Sequence, residues 1–344
     1  MSGGTNAARL TAMTSLASTL AHRAARLHRP LLIVTAALLV IGVVGLGGLL
    51  LDDRELLGLP IWAKTVKFGF SFGLYAATLA WMIGLLTRAR RWGWWLGSVV
   101  AAGLACDIVL MVVQMIIRGR RLHFNHADET DRMIHNLLAT GTYAAFVATA
   151  IVALLLSFQR LPDVSQAAAV RAGLLVTLAG LGMGTLMFSP TPEQQAALDT
   201  GTRPGVVGSH GVGVPDDGAG LPILGWSTEG GDLRVAHFAG LHALQLLPLL
   251  AVALLLLSRR YAGLRSPYVR RDLVRVAASA QLALVALLTW QALRGQSVIH
   301  PDLWTLLTAG AIAGSAATGC VLALRRRRAA TEPEPVTVTT SGNI

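Results

Sequence analysis

Charge is scarce in this sequence. Only 14% of its 344 residues are Asp, Glu, Lys or Arg, against roughly 25% in a soluble domain. The deficit sits in nearly charge-free runs of about twenty residues, the length that crosses a bilayer's hydrocarbon core. With 53% hydrophobic residues and a mean hydropathy of +0.58, an ordinary soluble domain is excluded. Cysteine is scarcer still. Cys106 and Cys320 both fall in apolar runs and read as packing residues, too few for a disulfide framework and without a CxxCH haem-attachment motif. Lysine occurs only at Lys64 and Lys67. The net charge of +11 comes from short arginine clusters between apolar runs, as in cytoplasmic loops of membrane proteins, so nucleic acid is not an expected partner.

The apolar runs predict an all-α polytopic membrane protein of about eight transmembrane helices. The first run, Pro30–Leu51, is too long for a signal peptide and ends in LDDREL, which offers no small-residue cleavage site. The others are expected near 64–87, 94–117, 135–157, 168–189, 236–257, 273–293 and 303–324. They define a membrane domain over 30–325, between an N-terminal segment (1–29) and a disordered tail (326–344). Alternate connections carry Arg88, Arg90 and Arg91, then Arg160 and Arg171, then Arg259 to Arg271, then Arg325 to Arg328. That bias predicts both termini on the cytoplasmic side of a bacterial plasma membrane. The opposite side holds Asp52, Asp53, Glu55 and a Gly/Pro/Asp-rich loop over 190–235, expected to lack secondary structure. Its acidic residues Asp216, Asp217, Glu229 and Asp232 suggest a cation site but fit no EF-hand spacing.

The chain divides into two parallel four-helix halves, about 30–160 and 167–325, that echo each other. Lys64-Thr-Val-Lys67-Phe68 opens the second run and Arg234-Val-Ala-His237-Phe238 the sixth. Gln114, Arg118-Gly119 and His123 close the third; Gln291, Arg294-Gly295 and His300 close the seventh. Parallel repeats of this kind place a site at their interface.

Polar residues then fall into stripes. Lys64, Lys67, Ser71 and Tyr75 share one helical face, and Asp107, Gln114 and Arg118 another. Asp107 lies near mid-membrane, where a lone carboxylate is costly, so it is expected to pair with Tyr75, at similar depth, or to serve with it as a proton relay. Seven of nine histidines lie at or near the outer face. His237 and His242 are five apart, about 140° around a helix, unlike the i, i+4 pair of HExxH. A metal or haem would therefore need other helices too. His135 and the His123-x-x-His126 turn are the further candidates, with Lys67, Gln114, Arg118 and Gln245 placed to hold an anionic group.

The stretches GWSTEGGDLRVAHFAGLHALQLLPL, WAKTVKF and RGRRLHFNH resemble a family of bacterial multi-pass membrane proteins, over about residues 30–325. That resemblance implies a membrane location and no particular activity. In architecture, two parallel four-helix units with outer-face histidines resemble haem A synthase and other bis-histidine membrane cytochromes. This implies haem, although Lys67 stands where a symmetric ligand set has a histidine. The leading expectation is a binding or redox membrane protein for haem, a transition metal, a quinone or another small ligand, perched in the lipid bilayer and open to homo-oligomer formation. The alternatives are a proton- or ion-coupled transporter using Asp107 and a membrane-embedded metal-dependent enzyme.

Overall fold

The structure is a computed structural model that describes residues 27–329. The expected N-terminal segment (up to residue 26) and most of the expected tail (from residue 330) lie outside the described residues. Among the described residues the protein is mostly helical (71%), with ten helices and few strands. In order they are α1 (Arg29–Leu51), α2 (Ala63–Gly84), α3 (Arg90–Met111, continued by a π-helical turn over Val112–Ile117), α4 (Glu129–Ser157), α5 (Val164–Thr185), α6 (Pro192–Asp199), α7 (Leu233–Leu241), α8 (Ala243–Leu257), α9 (Pro267–Leu293) and α10 (Leu303–Ala329). Seven of these are long and apolar enough to cross a membrane, and α7 with α8, bent by 41° at His242, would make an eighth. Each of the eight expected apolar runs is therefore helical. The tail expected from residue 326 starts later, since α10 runs on to Ala329.

Contacts sort the connections onto two ends. At one end His28 meets the Trp94 carbonyl, Gln159 bonds the backbone of Leu85 and Thr87, Arg171 reaches the Gln159 carbonyl and Arg270 pairs with Asp163. At the other, Arg54 reaches the Ile116 carbonyl, Lys67 that of Leu224, and Ser297 that of Ser227. The expected arginine clusters gather at the first end. The arginines of the second end are mostly paired: Arg54 with Asp52, Arg118 and Arg120 with Asp131, Arg234 with Asp232, Arg294 with Asp302.

Glycine lets helix backbones meet where lipid gives no hydrophobic drive between helices. A Cβ on Gly69 of α2 would lie 2.7 Å from Gly42 Cα of α1, and one on Gly240 of α7 would lie 2.5 Å from Gly180 Cα of α5. The same device thus packs the first helix of each half on the second. The ends of α3 and α9 match as well. Buried Gln114 donates to the Arg121 carbonyl and buried Gln291 to that of Ser297, at 3.0 and 2.9 Å. Gly119 and Gly295 take left-handed φ of +63° and +71°, which glycine adopts without cost. Asp128 and Asp302 then accept from backbone amides three residues on and pair with arginines from the preceding helix end.

The loop over 190–235 is folded, contrary to expectation. It contains α6, opened by a capping box between Thr191 and Gln194, and a β3 (Gly211–Val212) to β4 (Gly231–Asp232) pairing. A second hairpin, β1 (Glu55–Leu56) with β2 (Leu59–Pro60), turns at Leu57 and Gly58 with φ of +55° and +70°, the signature of a type I′ turn.

Candidate functional site

The helices line a cavity of about 1100 Å³, just above the roughly 300–1,000 Å³ usual for small-molecule sites. Its walls are contributed by both halves and are mainly apolar, with Phe68, Phe72, Leu104, Phe146, Leu241 and Leu284 among them. Polar groups concentrate towards one end: Lys64, Lys67, His123, His210 and Arg234. These five also line a small adjoining chamber of about 90 Å³, together with Arg121 and Asp216. A large apolar cavity with a small polar annex suits an amphipathic molecule.

The annex is built from four segments. The start of α2 supplies Lys64 and Lys67, the turn after α3 supplies Arg121 and His123, the folded loop supplies His210 and Asp216, and α7 supplies Arg234. Asp216 accepts from His210 Nδ1 at 2.9 Å and from the backbone amides of His210 and Gly211 at 2.8 and 3.0 Å. Burial alone would raise its pKa; the His210 hydrogen bond and charge and those amides outweigh it and hold the carboxyl well below the usual range. Burial pushes His210 down to about 4 although Asp216 pulls the other way. Burial, then the charge of Lys64, hold His123 well below the usual imidazole range. Near neutral pH both rings are uncharged and Asp216 is ionised. With Nδ1–H of His210 committed to Asp216, its Nε2 accepts from His123 Nδ1, 3.4 Å away, and His123 Nε2 is left with a lone pair.

The cations differ in how well they are matched. Arg234 pairs with buried Asp232 and donates to the Gly225 carbonyl at 2.5 Å. Arg121 lies 3.7 Å from Asp216. Lys67 donates to the Leu224 carbonyl at 2.9 Å. Lys64 makes no hydrogen bond or ion pair among the described residues; its contact is the Phe68 ring, 5.9 Å away. Four cationic side chains thus meet two carboxylates. The acidic residues of the loop form no cation site: Asp216 is bonded to His210, and Asp232 caps α7 and pairs with Arg234.

Among the expected site residues, Lys67, His237, His242, Gln245, Asp107, Tyr75 and His123 line the cavity. His237 Nδ1 donates to the Gly180 carbonyl at 2.7 Å, which leaves Nε2 as the acceptor of the neutral ring. His242 stands at the α7–α8 bend, stacked on Phe238. Gln245, buried on α8, has no partner for Oε1. Asp107 Oδ1 is likewise buried without a partner, with Thr142 of α4 beside the carboxyl as a donor. The expected Tyr75–Asp107 bond is not formed; the Tyr75 hydroxyl meets Thr149 Oγ1 at 2.5 Å.

Gln114, Arg118, His135 and His126 do not line the cavity. Gln114 and Arg118 both bond the wholly buried Asp131, at 2.8 and 2.9 Å. The HxxH pair is split because Phe124 between them takes a left-handed φ of +61°. His123 turns to His210, while His126 packs on His135, whose Nδ1 accepts from the Phe124 amide. Among the described residues no three His, Cys, Asp or Glu side chains gather as metal ligands. The sequence placed Lys64 in a polar stripe, Asp216 among the acidic loop residues and His210 on the outer face, but nothing in it joined the three to His123.

Comparison of the chain with protein-family models, with curated proteins and with solved structures finds no match.

Proposed function

We propose that this chain is an integral plasma-membrane protein, with eight spans in two parallel four-helix halves and both termini cytoplasmic, that binds an amphipathic anion between the halves. The ligand's apolar body occupies the main cavity and its charged head the annex at Lys64, Lys67 and Arg234. The observation that carries this reading is the unpaired Lys64 ammonium in a chamber where cations outnumber carboxylates. A buried charge without a partner is costly, and an anion arriving there relieves the cost. The same excess positive charge disfavours a metal cation.

Decanesulfonate, an alkyl chain with a permanently ionised head, is a suitable probe in mild nonionic detergent. Calorimetry should show saturable binding that weakens at least tenfold in Lys64→Met, as expected for loss of one charge-assisted contact of about 1.5–3 kcal/mol. Absence of binding, or binding indifferent to Lys64 and Lys67, would overturn the reading. An absorption spectrum of the same sample separates the special case. A Soret band that shifts on dithionite reduction and is lost in His237→Ala would make the anion a haem, with its propionates in the annex. Stoichiometric metal without such a band would overturn anion binding in favour of a metal site.

A second reading, a proton-coupled transporter, is favoured by one observation: Asp107 lines the cavity with a buried, unpartnered Oδ1. It predicts that Asp107→Asn keeps the fold and abolishes uptake of the anion into vesicles. Retained uptake would sink it.

A further inference from the structure

Resting on the anion-binding reading, we propose that the annex takes up one proton together with the anion, at His123, so that the protein binds its ligand as an electroneutral proton–anion pair. Three features of the geometry carry this. First, Asp216, His210 and His123 form a chain in which each acceptor is already assigned: Asp216 takes the proton of His210 Nδ1, and His210 Nε2 that of His123 Nδ1. The one vacant basic atom is His123 Nε2, on a ring that lines both the cavity and the annex. Second, a carboxylate behind a histidine stabilises positive charge on the ring ahead of it: ionised Asp216 polarises His210 and makes its Nε2 a stronger acceptor for the Nδ1–H of a protonated His123. Third, the group that most opposes protonation of His123, after burial, is the Lys64 ammonium, which is also the unpaired cation that a headgroup would neutralise.

The groups facing the pair from the surrounding elements are Lys64 and Lys67 of α2, Arg121 of the α3–α4 turn, His135 of α4, Asp216 of the loop, and Asp232 and Arg234 at the start of α7. Before the anion arrives, Lys64 has no ion-paired carboxylate, and a second cation on His123 is disfavoured. Once a sulfonate, phosphate or carboxylate oxygen sits against Lys64, that repulsion is offset and the anion itself attracts the new imidazolium proton. The proton comes from solvent, forms an N–H bond at His123 Nε2, and no other bond changes. Linkage makes the effect reciprocal: acid promotes anion binding, and anion binding promotes proton uptake.

Decanesulfonate has no group of its own that titrates near neutrality, so any proton taken up belongs to the protein. Calorimetric titration near pH 7 in two buffers of different ionisation enthalpy should show uptake approaching one proton per anion bound. The dissociation constant of the wild-type protein should fall by up to tenfold for each unit of pH between 8 and 6. His123→Gln should still bind through the lysines, with uptake reduced to near zero. Binding without proton uptake would overturn this inference and leave the anion site standing, whereas no binding at all would overturn both. Uptake that survives His123→Gln and vanishes in Lys64→Arg would place the proton on Lys64 and overturn the assignment to His123. Should His123→Gln fail to fold, the wild-type pH dependence alone decides: a flat profile overturns the coupling.

Discussion

The starts of α2 and α7 occupy matching places in the two halves, and they use their polar residues in opposite ways. On α7, Arg234 is locked to Asp232 and Gly225, and His237 to the Gly180 carbonyl. On α2, Lys67 has one carbonyl partner and Lys64 has only an aromatic ring beside it. The same packing device, a glycine-to-glycine approach of the first two helices, supports both. One half therefore closes its circuit and the other leaves an end open at the cavity. That difference is why the proposed anion is placed at Lys64: a half-buried cation with no hydrogen-bonded or ion-paired partner contributes little to the fold it sits in.

The largest effect that tests this contrast is on stability. Arg234→Met strands Asp232, whose side chain is 1% exposed, and removal of one partner of such a pair costs about 3–5 kcal/mol. The Ser227 and Arg234 amides still donate to that carboxylate, which places the expected loss near the lower bound. Lys64→Met, at the matching position, removes a charge without stranding another, and should melt no lower than wild type. Thermal unfolding of both variants in detergent checks the pair. Equal destabilisation would show that Lys64 has a structural role and erase the distinction between the halves.

The membrane architecture was legible because the bilayer imposes a length: each apolar run had to be about twenty residues, and the runs are where the helices are. Helical periodicity also placed Lys67, Tyr75 and Asp107 on the cavity, since spacing on one helix fixes the face it presents. It did not fix what those residues meet. Gln114 and Arg118 share Asp107's stripe, yet they bond Asp131 on the following helix, which no spacing within α3 could disclose. The HxxH turn read as one unit, and a single left-handed residue, Phe124, sends its two rings apart. The grouping of His210 and Asp216 with His123 was hidden for a different reason. They meet His123 only because a Gly-rich loop folds back across 87 residues of sequence, and loop closure of that kind leaves no periodic trace.

A smaller effect sharpens the contrast from the side of the open circuit. Burial pushes His210 down to about 4, whereas an unfolded histidine titrates near 6.5. Between those values the unfolded chain holds a proton that the folded chain does not, so stability falls as pH falls through this window, by up to about 1.4 kcal/mol per pH unit for each such ring. Asp216 acts in the same direction, but only below about 4, where carboxylates of the unfolded chain begin to protonate. The slope between pH 6.5 and 5 therefore contains the contribution of the buried imidazoles and none from Asp216. Wild-type melting temperature should drop across this interval, and His210→Gln, whose amide can still donate to Asp216, should drop less. Saturating decanesulfonate should flatten the wild-type slope too, because an anion beside Lys64 lets the folded protein accept the proton. A slope unchanged by both the substitution and the anion would mean that the imidazole chain is not held neutral by its burial, and the open end of the first half would lose its proton acceptor.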